Sequence, residues 1–285
     1  MRIILDSNKL KIAVLDLYDN EENQGMRCIK DILNETAQTY NKSVAVEFEV
    51  FDVRHKEEIP GTEFDIYISS GGPGSPYDGL GKNWETKYFK LMDGIVSNNA
   101  NNAKDKKHVF FICHSFQIMA RYFEIGDVVK RNSKSFGIMP VHKTEAGKHD
   151  MLLSGLPNKF YGADFRDFQV IQPNKKKLKE LGAEILCIEK ERPHVAYERA
   201  VMAVRISNEI VGTQFHPEAD PLSMDYHFRK PERKEQVVSK YGEAKYQEML
   251  RLLEDPLSIK LTRKTVLPNF LKHAVVTLRP EAQLA

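Results

Sequence analysis

The sequence has no surplus of either charge: 42 lysines and arginines stand against 40 aspartates and glutamates in 285 residues, a net charge of +2. So balanced a chain has no long-range field to gather nucleic acid or an anionic membrane, and neither is expected as a partner. It lacks any apolar run approaching the ~18 residues of a membrane span. It also lacks a secretory core near its start, because Asp6, Lys9 and Lys11 interrupt that stretch. A cytoplasmic location is expected. Cysteine is scarce: Cys28, Cys113 and Cys187 form no even disulfide framework, which leaves at least one thiol free for chemistry. Cysteines and histidines do not fall at the short paired spacings of a zinc site, so no metal is expected. No internal repeat is visible. Basic clusters at 104–107, 175–179 and 229–234 are interrupted or flanked by acidic or polar residues and read as solvated turns.

What is present is enough apolar material, 41% of residues, for one substantial core. Residues 11–17 read as a buried strand, and after the polar stretch 19–25 the spacing predicts a helix over 26–33. Residues 44–53 alternate, with Val44, Val46, Phe48 and Val50 on one face. A short apolar strand at 65–69 opens into Ser70-Gly71-Gly72-Pro73-Gly74. Residues 84–96 have helical spacing, 98–107 read as a surface loop, 108–112 as a central parallel strand and 115–123 as a helix. Strands alternating with helices predict an α/β fold, a doubly wound, mostly parallel (mixed) sheet with helices on both faces, with ligands bound beyond the carboxyl ends of the strands. Both the glycine loop and Cys113 lie at such ends.

The second half has short β-like runs at 136–142, 167–171, 183–188, 200–206 and 210–215, expected as strands added to the same sheet plus a small antiparallel layer. Farther on, 237–253 read as one helix carrying an apolar stripe of Tyr246, Met249, Leu250 and Leu253, which either docks on the body or meets a partner. Pro256 closes it, and 266–276 read as a last helix. The expected organisation is a domain over 1–220 and a helical extension over 221–285 packed on it.

Three groups could carry chemistry. Cys113 sits between a strand and a helix, where a helix N-terminus helps ionise a thiol, although a cysteine after a buried strand also suits a small core position. His216-Pro217-Glu218 ends the 210–215 strand, and residues two apart in extended chain project to the same side, so Glu218 can orient the His216 imidazole; a solvated pair in a strand-end turn is the alternative. The loop Ser70-Gly71-Gly72-Pro73-Gly74-Ser75-Pro76 brings bare backbone N–H groups within reach of an oxyanion, or is simply a Pro-Gly turn. His55, His142 and His194 belong to no constellation and read as surface residues.

Taken together, SGGPGSP at 70–76, FICHSFQ at 111–117 and GTQFHPE at 212–218 resemble, in order and spacing over about residues 11–218, the class I glutamine amidotransferases, including the glutaminase domain of GMP synthase. The family carries a GGPG-type loop, a G-x-C-x-G-x-Q nucleophile elbow and an H-P-E tripeptide. The resemblance implies the flavodoxin-like three-layer fold. It also implies that Cys113 forms a γ-glutamyl thioester, that His216 carries the proton to leaving ammonia and that Glu218 orients His216. It implies further that the N–H groups of Gly72 and His114 form the oxyanion hole, with Gly71, Gly74 and Gln117 holding glutamine. No cofactor is required, and the ammonia is expected to pass to a separate synthetase or amination subunit.

The match departs from the family at Phe111 and Ser115, which replace elbow glycines. Phe111 either points into the core or reshapes the pocket. Phe165, in the stretch Asp164-Phe165-Arg166-Asp167, stands where many members have histidine on a pocket-lining loop. Arg166 there is either a substitute carboxylate clamp or a surface ion pair. Other readings are therefore a stand-alone hydrolase of γ-glutamyl amides or peptides, a non-catalytic binding or regulatory descendant and, more distantly, an acyltransferase.

Overall fold

The structure, a computed structural model, describes residues 8–191, 198–255 and 257–282. The first half follows the pattern of its apolar runs. Strand β1 (Lys9–Asp16) leads into α1 (Gln24–Tyr40), whose N-cap Asn23 accepts the Met26 N–H. Next come β2 (Ala45–Asp52), β3 (Ile66–Ser69), α2 (Asn83–Asn101), β4 (His108–Ile112) and α3 (His114–Tyr122). Helix α2 takes up the start of the segment expected as loop. Asparagines fasten its end to the following chain: Asn98 donates to the Asp105 carbonyl, and Asn99 both donates to and accepts from the Lys107 backbone.

Beyond α3 the strands are longer than the short apolar runs suggest. Strand β5 (Asp127–Lys143) is followed by α4 (Glu145–His149), a 3₁₀ turn (Met151–Leu153) and β6 (Lys159–Ile171). Then come α5 (Lys175–Leu181), β7 (Glu184–Glu189), β8 (Val201–Arg205) and β9 (Ile210–Thr213). Residues 175–179 are thus helix rather than turn. All nine strands among the described residues form one mixed sheet, in the order β2-β1-β3-β4-β9-β8-β7-β5-β6. Pairing is parallel from β2 through β9 and antiparallel from β9 through β6. The strands expected as a separate antiparallel layer therefore extend the main sheet.

The pleat of β4 divides the core. Phe110 and Ile112 join α1 on one face, while Val109 and Phe111 join α2 and α3 on the other. The C-terminal quarter differs from expectation in its helices. Helix α6 (Pro221–Phe228) follows the His216 tripeptide at once, and the single helix expected over 237–253 is two, α7 (Pro231–Tyr241) and α8 (Glu243–Glu254), broken at Gly242. Tyr246, Met249 and Leu253 of α8 are buried with Ile138 of β5 and Phe228 of α6. The last helix, α9 (Ile259–Leu278), lays Val266, Phe270, Leu271 and Val275 on the same face as α1 and sets the Phe270 ring 5.1 Å from Phe110. It is part of the central core. No helix among the described residues is long and apolar enough to cross a membrane. His194 and Pro256 lie outside the described residues.

Candidate active site

Cys113 occupies the corner between β4 and α3 with φ 48° and ψ −96°. A side chain in this region costs on the order of 1–3 kcal/mol and persists only where the surroundings hold it. Here its N–H donates to the Thr213 carbonyl at 2.8 Å, and its carbonyl accepts the Gln117 N–H at 3.1 Å. The two replaced elbow glycines are absorbed differently. Ser115 is buried, accepting the Ile112 N–H at 2.9 Å and donating to the Ser69 carbonyl at 2.8 Å. Phe111 turns to the opposite sheet face, into the core, beside Gly212 of the paired strand. A Cβ on Gly212 would lie 3.1 Å from that of Phe111, so the missing side chain there makes room.

His216 comes three residues after β9 and is anchored by its N–H to the Ala163 carbonyl at 2.8 Å. Its Nδ1 lies 2.8 Å from Oε1 of Glu218, which is buried. Burial opposes a charged ring, but Cys113 and Glu218 outweigh it and hold the His216 pKa well above its ordinary value. The imidazolium is thus stabilised beside the thiol. The other two cysteines are held as thiols: burial, with Asp220 and Glu218, pushes Cys28 up to about 11, and burial pushes Cys187 higher still.

The glycine loop faces this pair. A Cβ on Gly71 would lie 2.7 Å from Cε1 of His216, and one on Gly72 would lie 2.4 Å from the Leu17 carbonyl oxygen, so neither position admits a side chain without displacement. Gly74 has φ +85°, and the turn after it is closed by the Ser75 N–H donating to Asp78 at 2.8 Å. The Gly72 N–H has no acceptor among the described residues. The His114 N–H lies in the first turn of α3, where helix amides lack partners of their own. The His114 ring is buried and, through burial and the charges of Arg54 and Arg121, its pKa falls to about 3, so it is neutral.

Gln117 donates to the Phe168 carbonyl at 3.2 Å and to Oε1 of Gln214 at 3.1 Å, and the Gln214 amide lies 3.7 Å from the Cys113 sulfur. The stretch 164–167 belongs to β6 rather than to a loop. The Phe165 carbonyl is 3.7 Å from the Cys113 sulfur, and its ring lies 6.1 Å from that of His216. Arg166 is no surface ion pair: it is buried, donating to Asp164 at 2.9 and 3.1 Å and to Glu189 at 3.1 Å, with Nη1 unpartnered.

Cys113, His216, Glu218, Gly72, Gly74, His114, Gln117 and Arg166 line one cavity of about 400 Å³, with Gly71 behind the imidazole. Sequence reasoning missed Gln214, although it stands inside the GTQFHPE segment, and Tyr18, which follows the carboxyl end of β1 where the fold rule directs attention. The Tyr18 side chain also lines the cavity, and burial, then Glu218 and Cys113, keep its phenol protonated. It missed α6 and the start of α7 as well, which give the cavity Tyr226, His227, Lys230 and Arg233. The 229–234 cluster is therefore partly a cavity wall rather than a solvated turn.

Residues 29–231 match the model of a family described as glutamine amidotransferase class-I. No curated protein matches. Among solved structures, the chain is similar to a glutamine amidotransferase from Thermotoga maritima at 17% identity, covering 93% of this chain and 98% of that one with a TM-score of 0.65. It is also similar to a glutamine amidotransferase from Methylobacillus flagellatus at 14% identity, covering 98% and 96% with a TM-score of 0.60. A third likeness is to the glutaminase domain of Trypanosoma brucei CTPS with bound acivicin, at 13% identity, covering 97% and 96% with a TM-score of 0.58. At such identities the likeness speaks for the fold alone.

Proposed function

The chain belongs to the class I glutamine amidotransferase family, and from that premise we propose that it hydrolyses the side-chain amide of glutamine through a thioester on Cys113. The carrying observation is the convergence of Cys113, His216, Glu218 and the glycine loop on one cavity. In this reading the Cys113 sulfur attacks the amide carbon, and the N–H groups of Gly72 and His114 receive the developing oxyanion. His216, oriented by Glu218, gives its proton to the leaving nitrogen, the C–N bond breaks and ammonia departs. Water then adds to the thioester with His216 as base, releasing glutamate and restoring the thiol. Gln117, with Gln214, fixes the wall beside the sulfur, and the Arg166 guanidinium, held by Asp164 and Glu189 with its Nη1 buried, meets a substrate carboxylate only if that side chain moves. The ammonia is used by a separate amination partner.

A second reading, hydrolysis of γ-glutamyl conjugates of larger amines by the same groups, is favoured by one observation: the cavity continues past His216 to α6 and α7. The test is ammonia release from glutamine, with Cys113→Ala as control. Release that vanishes in the variant supports the thioester route. No release from glutamine or from any γ-glutamyl amide, by protein whose Cys113 alkylates at an ordinary rate, favours a non-catalytic binding module.

A further inference from the structure

A proton donor fixes the direction in which a leaving group departs. His216 protonates the departing nitrogen, so any substituent on that nitrogen extends from Cys113 past the imidazole. On that side the structure is built of rings and cations. The Phe165 ring stands 6.1 Å from His216 and meets the His227 ring edge-on at 4.8 Å. Phe136 lies 5.2 Å from Phe165 and 5.6 Å from His227. The Arg233 guanidinium sits 5.8 Å over Phe136, and the Lys230 ammonium 5.0 Å over Tyr226.

Lys230 and Arg233 are half-buried, and neither has a carboxylate within ion-pair distance among the described residues; Arg233 donates only to the Gln236 amide, at 3.1 Å. Lys134, also on the wall, is different, because Asp167 neutralises it at 3.0 Å. The local field registers on His227, pushed down to about 4 by burial and then by Arg233, Lys230 and His216, against a smaller opposing effect of Glu232. His227 is therefore a neutral ring in a positive surrounding. The cavity volume of about 400 Å³ is in the range of sites for small organic ligands and larger than free glutamine fills.

We propose that the cavity wall formed by Phe136, Phe165, His227, Lys230 and Arg233 is a leaving-group subsite for an amine bearing a flat or apolar body and an anionic end, so that γ-glutamyl conjugates of such amines are preferred substrates. The inference rests on the thioester chemistry proposed for Cys113. The sulfur bonds to the γ-carbonyl carbon, the C–N bond breaks, the His216 proton goes to the amine nitrogen, and water cleaves the thioester to glutamate and thiol. Rings stack on the amine's body, while the two unpaired cations take its anion, an arrangement that the loss of ammonia from glutamine leaves unused.

The test compares kcat/KM for glutamine, γ-glutamyl-anilide and γ-glutamyl-4-aminobenzoate, the last two differing only in a carboxylate, in the wild type and in a Lys230→Gln/Arg233→Gln double variant whose fold is checked by circular dichroism. The aminobenzoate is expected to exceed the anilide by roughly tenfold, as two partly exposed charge contacts would give, and the double variant to bring that ratio near one. Higher kcat/KM for glutamine than for either conjugate, equal values for the two conjugates, or a preference that survives the double substitution overturns the subsite and leaves the Cys113 chemistry standing. No cleavage of any γ-glutamyl amide overturns both.

Discussion

At His216, two neighbours prevail over burial. The ring's pKa in the folded chain lies well above its ordinary value because Cys113 and Glu218 favour its charge more than desolvation opposes it. A raised folded pKa means that protonation stabilises the fold fully below the unfolded value, about 6.5, and that this contribution is lost as pH rises through the folded pKa. The denaturation midpoint of the wild type should therefore fall towards that of His216→Gln as pH is raised above about 6.5. A constant gap between the two proteins would contradict this account of the site. Gly71 gives a kinetic counterpart. Alanine there sets a Cβ 2.7 Å from the imidazole, and a shift of the ring of about 1 Å costs on the order of 10² in kcat, with little change in melting temperature. At this scale much of the site was legible in sequence, because Cys113, His216, Glu218 and the glycines sit in short segments with stereotyped geometry. Phe111 was not decidable, since its placement depends on Gly212 across a strand pairing that no local pattern encodes. The surface ion-pair alternative for Arg166 failed for the same reason: its partners Asp164 and Glu189 meet it only when β5, β6 and β7 assemble.

Among the elements, existence was easier to read than extent. The parallel strands were found because β1, β3, β4 and β9 each carry a short buried apolar run and β2 alternates, whereas β5 and β6 run well beyond their apolar stretches, which pairing rather than composition sustains. The break between α7 and α8 escaped because the apolar spacing carries across it. It is set by Gly242, at φ 84° and ψ 160°, a conformation a side chain adopts only under strain. No atom lies within 4 Å of where its Cβ would be, so Gly242→Ala should be destabilising through the backbone alone, by about 1–3 kcal/mol in chemical denaturation. An unchanged midpoint would mean that the corner relaxes freely. Helix α6 has a local signal in its capping box, Asp220 with Ser223, and its place over the cavity is fixed by Arg27 of α1 holding Asp220 at 2.9 and 3.0 Å.

For the whole molecule, the fold class was readable and the part played by the chain's last quarter was only partly so. Residues 221–285 read as a helical extension packed on the domain, but not as core: α9 covers the same sheet face as α1 and contacts Phe110 of the strand that leads into Cys113. A helix with apolar residues on several sides gives no sequence clue to which sheet it completes. A chain ended after Asp255 should therefore lose near-UV circular dichroism and become protease-sensitive throughout, including β4. Retention of a cooperative melt by that shortened chain would show α9 to be dispensable.

Everything proposed for the reaction depends on Cys113 being the one thiol among three that bonds to a γ-glutamyl carbon. Cys28 and Cys187 are held protonated and, among the described residues, have no imidazole–carboxylate pair beside them like that of Cys113, so they are poor competitors. The direct measurement is to treat the protein with a glutamine-analogue electrophile and locate the adduct by peptide mass spectrometry, with and without an excess of γ-glutamyl amide. The account predicts a single stoichiometric adduct on Cys113, suppressed by the competing amide. Modification of Cys28 or Cys187 instead, or labelling of Cys113 that the amide does not slow, would contradict it.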